Sequence, residues 1–110
     1  MTKRMVIEVP DGFERLGRVY QLAIEQATGG KGVERHGSDS QGRVLAFADQ
    51  PTPRITRVRG TGYPLGQCDK KTEEAALLLS RDEDGKAQAE LLGAMNFIAF
   101  ALDALLEGDV

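Results

Sequence analysis

The chain has 110 residues and a mass of 11.9 kDa, which suits one domain and leaves no room for separate cofactor and substrate domains. Hydrophobic residues make up 41% and charged residues 28% of the sequence, which is typical of globular rather than disordered proteins. The single Cys68 excludes an internal disulfide, lacks companions for a zinc site and indicates a reducing compartment. We therefore expect a single domain over residues 1–110.

Two apolar stretches bear on localisation. Near the amino terminus only residues 5–7 are apolar before Glu8, which is too short a run for a secretory signal. The longest apolar stretch, residues 90–107, is interrupted by Asn96 and Asp103, so we expect a core or interface helix rather than a span of a bilayer ~30 Å thick. The sequence thus predicts a cytoplasmic protein with no membrane partner.

Charge is unevenly distributed along the chain, whose formal net charge is -3. Residues 1–30 are neutral overall, residues 31–71 sum to +4, and the remainder sums to -7. Eight of the thirteen glycines fall in or beside the cationic segment. Backbone N–H groups that glycine leaves accessible bind phosphate well, so this segment is a candidate oxyanion site. The alternative is that these residues only make turns and a solvated surface.

The amino-terminal third predicts one helix. Residues 4–9 are interpreted as an edge strand or an extended arm that ends in a turn at residues 10–12. Asp11 and Glu14 have capping-box spacing, and Gly29 is expected to stop the helix. The apolar residues that recur on one face of this helix, and that we expect to face the core, are Phe13, Leu16, Tyr20, Ala23, Ile24 and Ala27.

The middle of the chain predicts a long glycine-rich loop followed by a short helix. Residues 29–50 have no helical period and allow at most one short strand at residues 44–48. Thr52 and Pro53 form a good N-cap and first-turn pair, and Gly60 ends the short helix. We expect two side chains of this helix to point inward and three to face solvent or a ligand: Ile55 and Val58 inward, and Arg54, Arg57 and Arg59 outward.

The last third predicts an antiparallel helical hairpin. One helix starts near Leu65, a charged connector occupies residues 81–86, and a final helix runs over residues 86–107. The expected fold is therefore mainly α, with a short amino-terminal strand or arm, a helix, a long glycine-rich loop and a carboxyl-terminal helical hairpin.

The final helix is apolar nearly all round. Two other sizeable helices cannot cover every side of it, so we predict a homo-oligomer that assembles through this helix. Asn96 and Asp103 lie seven residues apart on one stripe and are interpreted as its solvent edge, the alternative being that they meet symmetry mates.

The side chains best suited to bind a phosphate or transfer a proton lie in residues 28–37. Lys31, Arg35 and His36 fall within six residues, a cluster suited to clamp a phosphate or, through His36, to move a proton. The segment follows a helix and lacks the Walker A pattern, which argues against a P-loop enzyme. No nucleophile motif accompanies His36, so no catalytic residue is assigned.

A second segment, residues 60–71, places glycines and Tyr63 just before a helix. Helix amino termini attract anions and an aromatic ring can stack on a base, although Tyr63 is equally suited to a core position. The sequence therefore predicts a small phosphorylated ligand, with no metal ligand and no cofactor. The predicted ligand-binding residues are Lys31, Arg35, His36, Arg57, Tyr63 and Lys70.

The residues allow one enzyme function as an alternative to ligand binding. A Mg-dependent nucleotide pyrophosphohydrolase needs carboxylate pairs on neighbouring helices, and the chain offers only Asp69 with Glu73, so we rank this function second. Nucleic-acid binding is not expected, because the chain is acidic overall and carries no recognised nucleic-acid motif.

Six short segments resemble a family of small, uncharacterised proteins of tailed phages and prophages, over residues 13–106. They are GKGVERHG (30–37), DQP (49–51), ITR (55–57), GYPLGQ (62–67), KKTEEA (70–75) and AELLGA (89–94). The hairpin is also loosely similar to a phage domain associated with nucleotide kinases, but Gln67 replaces that domain's Asn and no kinase motif is present. Kinase activity is therefore not expected.

The resemblance implies a phage setting in the host cytoplasm. Phage proteins of this size often act on host defence or nucleotide pools, which implies a protein that binds or sequesters a nucleotide immune signal in pockets between subunits. The competing expectation is an inhibitor that docks on a host protein through its apolar last helix.

Overall fold

A computed structural model describes residues 4–29 and 41–110. These residues form four α-helices and one short 3-10 helix. In chain order they are α1 (Glu14–Gly29), the 3-10 helix (Phe47–Asp49), α2 (Pro51–Arg59), α3 (Gly62–Ser80) and α4 (Asp84–Leu106). The mainly α prediction is confirmed, and within the described ranges no β-strand forms. Residues 4–10 have no regular secondary structure, so the arm interpretation holds there and the edge strand was wrong.

The start of α1 follows the predicted turn. The N–H of Phe13 donates to the carbonyl of Pro10 at 3.0 Å, and the Glu14 carboxylate accepts from the N–H of Gly12 at 3.2 Å. Glu14 thereby satisfies a free backbone donor next to the first turn of the helix. Val9 of the arm lies over Gly17, where an added Cβ would approach Val9 Cγ2 to 3.1 Å.

The expected inward face of α1 is largely exposed. Ala23 is its only buried residue, whereas Phe13, Leu16, Tyr20 and Ile24 are 50–62% exposed. The predicted face is covered only along one edge, where Ala23 is buried and Ala27 half-buried, beside the half-buried Leu22 outside it. The prediction was wrong for the other four residues, because periodicity identifies an apolar stripe without showing that another element covers it.

One polar side chain joins α1 to α4. Asn96 Nδ2 donates to the carbonyl oxygen of Ala23 at 3.0 Å, and Asn96 is half-buried. The solvent-edge interpretation of Asn96 was therefore wrong. Asp103, one heptad further along α4, is also half-buried.

The short helix α2 begins two residues earlier than predicted, with Gln50 as N-cap and Pro51 in the first turn. Its buried residues are Pro53 and Thr56, and the Thr56 hydroxyl donates to the carbonyl of Thr52 at 2.7 Å. Val58 is 79% exposed, so its predicted inward orientation was wrong. Gly60 ends the helix with a φ of 85°, a conformation in which glycine is favoured.

Helices α3 and α4 form the predicted antiparallel hairpin, which is the most extensive helix contact in the described chain. The connector is shorter than predicted, spanning residues 81–83. Alanines make up the buried core where the two helices meet: Ala75 on α3, and Ala87, Ala94, Ala101 and Ala104 on α4. Small side chains let two helix axes approach closely. Lys71 Nζ lies 3.0 Å from Glu90 Oε2 across this contact.

Helices α1 and α2 lie on one side of the hairpin. Besides the Asn96 hydrogen bond, Phe100 of α4 stacks on Phe47 of the 3-10 helix, with ring centroids 4.1 Å apart and ring planes 10° from parallel. The side of the hairpin away from these contacts is not covered by the described residues, and large apolar side chains of α4 are exposed there.

By length and composition, α4 could also cross a membrane. It has 23 residues, more than the stretch considered from the sequence, and a window of 18 of them has a mean hydropathy of 1.6. Core helices of soluble proteins pass the same test, but only 17% of that window is buried inside the protein. The other residues of that window are half-buried or exposed within the described part of the chain.

Candidate functional site

Three of the six predicted ligand-binding residues can be placed. Arg57 is exposed in the last turn of α2, Tyr63 is half-buried in the first turn of α3, and Lys70 is exposed two turns further along α3. Lys31, Arg35 and His36 lie outside the described residues.

The placed residues come from two consecutive helices. Tyr63 and Lys70 are seven residues apart on α3 and therefore share one side of that helix. Arg57 comes from α2, which reaches α3 through the two-residue link at Gly60 and Thr61. Among the described residues, no hydrogen bond or ion pair joins any two of these three side chains.

A shallow hollow of about 350 Å³ lies on the outer side of α2. Two arginines and three apolar residues line it: Pro51, Arg54, Ile55, Val58 and Arg59. All of them belong to one helix, so the hollow covers a ligand from one side only. Arg54 and Arg59 were predicted to face solvent or a ligand but were not in the predicted ligand-binding set. The sequence signal for including them was the pair of arginines five residues apart on one short helix, with the apolar Ile55 and Val58 between them.

The arginines of α2 have no neutralising partner within the described part of the chain. The two ion pairs described there are Lys71–Glu90 and Lys86–Glu83, and neither involves α2. The helix itself contains three arginines and no acidic residue. Arg57 and Arg59 lie in its last turn, where positive charge also stabilises the negative end of the helix dipole. Part of this charge therefore has a structural use.

The carboxylates that a metal-dependent hydrolase would need are not gathered. Asp69 and Glu73 are both exposed on α3. Within residues 4–29 and 41–110, no group of three or more His, Cys, Asp or Glu side chains is placed to hold a metal ion.

Comparison of the chain with protein-family models, with curated proteins and with solved structures finds no match. The resemblance to tailed-phage proteins, and the phage setting it implies, therefore stay predictions from the sequence. What the chain's own residues establish is a mainly α fold with a cationic short helix on its surface.

Proposed function

We propose that this protein is a small binding protein for a phosphorylated ligand of the nucleotide type, which it contacts through the outer surface of α2. The observation that carries the proposal is the uncompensated charge of this helix. Arg54, Arg57 and Arg59 are all exposed, and none forms an ion pair with a described residue.

The hollow on α2 suits a ligand with both an anionic and an apolar part. Arg54 and Arg59 line it, and a guanidinium group can donate two parallel hydrogen bonds to a phosphoryl group. Ile55 and Val58 lie between them and offer an apolar surface to a sugar or a base. Inorganic phosphate would use only the charged part, so a nucleotide is the better match.

Further contacts are part of the proposal. Tyr63 is in the first turn of the helix that follows α2, and Lys70 follows it on the same side of that helix. Lys31, Arg35 and His36 remain the predicted contribution of the preceding glycine-rich segment. Sequestration of an immune signal in a phage-infected cell is the finer prediction, whereas the proposal itself requires only phosphoryl oxygens and an apolar moiety.

The proposal is tested by thermal unfolding with increasing ATP, ADP or inorganic phosphate. A ligand that binds only the folded state raises Tm as its concentration rises. We expect the nucleotides to raise Tm more than phosphate does. Because hydrogen bonds to charged groups contribute about 1.5–3 kcal/mol each, the double variant Arg54→Ala/Arg59→Ala should lose at least about tenfold in affinity.

Arg81→Ala is the matched control, since Arg81 is exposed in the connector of the hairpin, away from α2. It should bind nucleotide like the wild type. The proposal is wrong if no nucleotide raises Tm of the wild-type protein, or if the double variant binds as tightly as the control. A fall in Tm without ligand in Arg57→Ala, with unchanged nucleotide affinity, would assign that residue to the helix dipole alone.

A second candidate function, inhibition of a host protein by docking on it, is favoured by a different observation. Leu16, Tyr20 and Ile24 of α1 form an exposed apolar stripe with Phe13, which directly precedes the helix, and contiguous exposed apolar patches are typical of protein-binding surfaces. This function predicts no nucleotide effect on Tm. It also predicts that Tyr20→Glu, and not Arg54→Ala/Arg59→Ala, abolishes binding to the host protein.

A further inference from the structure

The uncovered side of the hairpin carries a row of apolar side chains on α4. Leu91, Ile98, Leu102 and Leu105 are 42–60% exposed, and Met95 between them is half-buried. The steps between successive members are alternately four and three residues. This is the spacing of a coiled-coil seam, in which side chains of one helix insert between those of another.

A second, shorter row lies on α3. Its uncharged members are exposed, and they are Leu65, Thr72, Ala76 and Leu79, with the exposed Asp69 in the same row between Leu65 and Thr72. Every residue in both rows comes one position after a residue that is buried or half-buried in the hairpin contact, as Leu65 follows Pro64 and Leu102 follows Ala101. One residue corresponds to a rotation of about 100° around a helix.

The two rows therefore lie on the same side of the hairpin. On each helix the row lies about 100° around the helix axis from the stripe that faces the other helix, in the amino-to-carboxyl sense. Because α3 and α4 face each other and run in opposite directions, this rotation brings both rows to the same side of the hairpin. That side is opposite to the contacts with α1 and α2. We call these nine residues the bare face: Leu65, Thr72, Ala76, Leu79, Leu91, Met95, Ile98, Leu102 and Leu105.

The nine residues of the bare face are uncharged, the one charge within its rows is the acidic Asp69, and its surroundings do not favour a lipid surface. The charged side chains of α4 are three acidic residues and Lys86, and Lys86 pairs with Glu83. Helices that lie on membranes are typically rich in Lys and Arg beside the apolar face, because these residues attract anionic lipids. The composition of α4 is the opposite.

The area of the bare face fits a weak dimer. Each row spans 15 residues, which rise about 21 Å, and two helices with axes 8–10 Å apart present a width of about 18 Å. Two such faces in contact bury on the order of 800 Å², the size of a weak interface whose two copies separate on dilution. A two-fold axis places the same apolar rows against each other.

We propose that a second copy of this chain covers the bare face, so that two hairpins form a four-helix bundle. The dimer buries Leu91, Ile98, Leu102 and Leu105 of each copy and leaves α1 and α2 on the outside. The inference does not depend on the ligand proposed for α2.

Sedimentation equilibrium of the wild-type protein over a wide concentration range tests the proposal. We expect a mass of twice 11.9 kDa at high concentration, with dissociation on dilution. Ile98→Glu introduces a charge without a partner into the interface, so self-association should weaken by at least about a hundredfold. Leu102→Ala, which adds no charge, should weaken it by about tenfold while keeping the helical circular dichroism signal.

Leu77→Glu is the control, because Leu77 is a leucine of α3 that is 51% exposed but lies off the bare face. It should dimerise like the wild type. A mass of 11.9 kDa at every concentration, or equal dissociation of the control, would overturn the proposal. So would a monomer that floats with phosphatidylcholine or phosphatidylglycerol vesicles, which would assign the bare face to lipid.

Discussion

Two neighbouring rows of side chains on α4 behave in opposite ways. The row that faces α3 includes Ala87, Ala94 and Ala101, which are all buried. The row one residue further on includes Leu91, Ile98 and Leu102, which are exposed. In most protein cores the large apolar side chains are the buried ones. Here the chain buries its small residues in its own hairpin and leaves its large ones on the surface.

The difference indicates where the stabilising free energy is found. Each buried CH₂-sized group contributes about 0.8 kcal/mol, so an alanine core provides little, whereas full burial of a leucine or isoleucine contributes about 1.5–3 kcal/mol. The largest fully buried side chains described in this chain are Thr56 and Pro64. The hairpin contact therefore fixes the geometry of the fold. Burial of the bare face would add more stabilising free energy than the alanine contact provides.

The largest effect is expected where the alanine row is overfilled. Ala94→Leu forces extra atoms between α3 and α4 at a residue that is 4% exposed, and such overpacking costs typically about 1–3 kcal/mol. Ala99→Leu is the matched control at an exposed position of α4 and should be close to neutral. Urea unfolding measures both. Equal effects of the two variants would show that the alanine row is not a close contact.

A smaller effect is expected on the side of α4 that α1 covers. Asn96→Ala removes the hydrogen bond to the carbonyl of Ala23, and a bond of this kind contributes about 1 kcal/mol. Amide hydrogen exchange should accelerate in α1 and remain unchanged in α3. Gln88→Ala, an exposed polar residue of the same helix, should leave both helices protected. Unchanged exchange in α1 after Asn96→Ala would show that this bond does not hold the helix.

The smallest effect is expected on the bare face in dilute solution. Leu102 is 53% exposed in the single chain, so Leu102→Ala should change the free energy of unfolding of the monomer by less than about 0.5 kcal/mol. At high protein concentration the same substitution should lower Tm, because it removes contacts between copies. A large loss of stability in the dilute monomer would mean that Leu102 packs within its own chain.

Local signals in the sequence predicted much of the fold. Gly60 ends the helix that it was expected to end, and the apolar periodicity of the last third predicted the hairpin. Helix starts were less accurate, because α2 uses Pro51 where Thr52 and Pro53 gave an equally good pattern. Choosing between adjacent caps depends on tertiary packing, which local sequence does not contain.

The choice of buried faces was harder to predict. The stripe of α1 that contains Tyr20 and Ile24 has good amphipathic spacing, yet it is covered only at its edge, where Ala23 is buried. Asn96 was interpreted as a solvent-facing residue, because its partner lies 73 residues away in sequence. For the candidate site, the exposure of the α2 arginines followed from periodicity, but the hollow between Arg54 and Arg59 required the structure.

The most direct test of the account compares two adjacent positions of α4, with Cys68 replaced by serine. Ala101→Cys places a thiol where the chain is 5% exposed, and Leu102→Cys places one where it is 53% exposed. The rate of reaction with an aromatic disulfide reagent reports access to each thiol. The account predicts slow reaction at position 101 at every protein concentration, and fast reaction at position 102 that slows as the concentration rises. Equal rates at the two positions, or a rate at 102 that is independent of concentration, would contradict it.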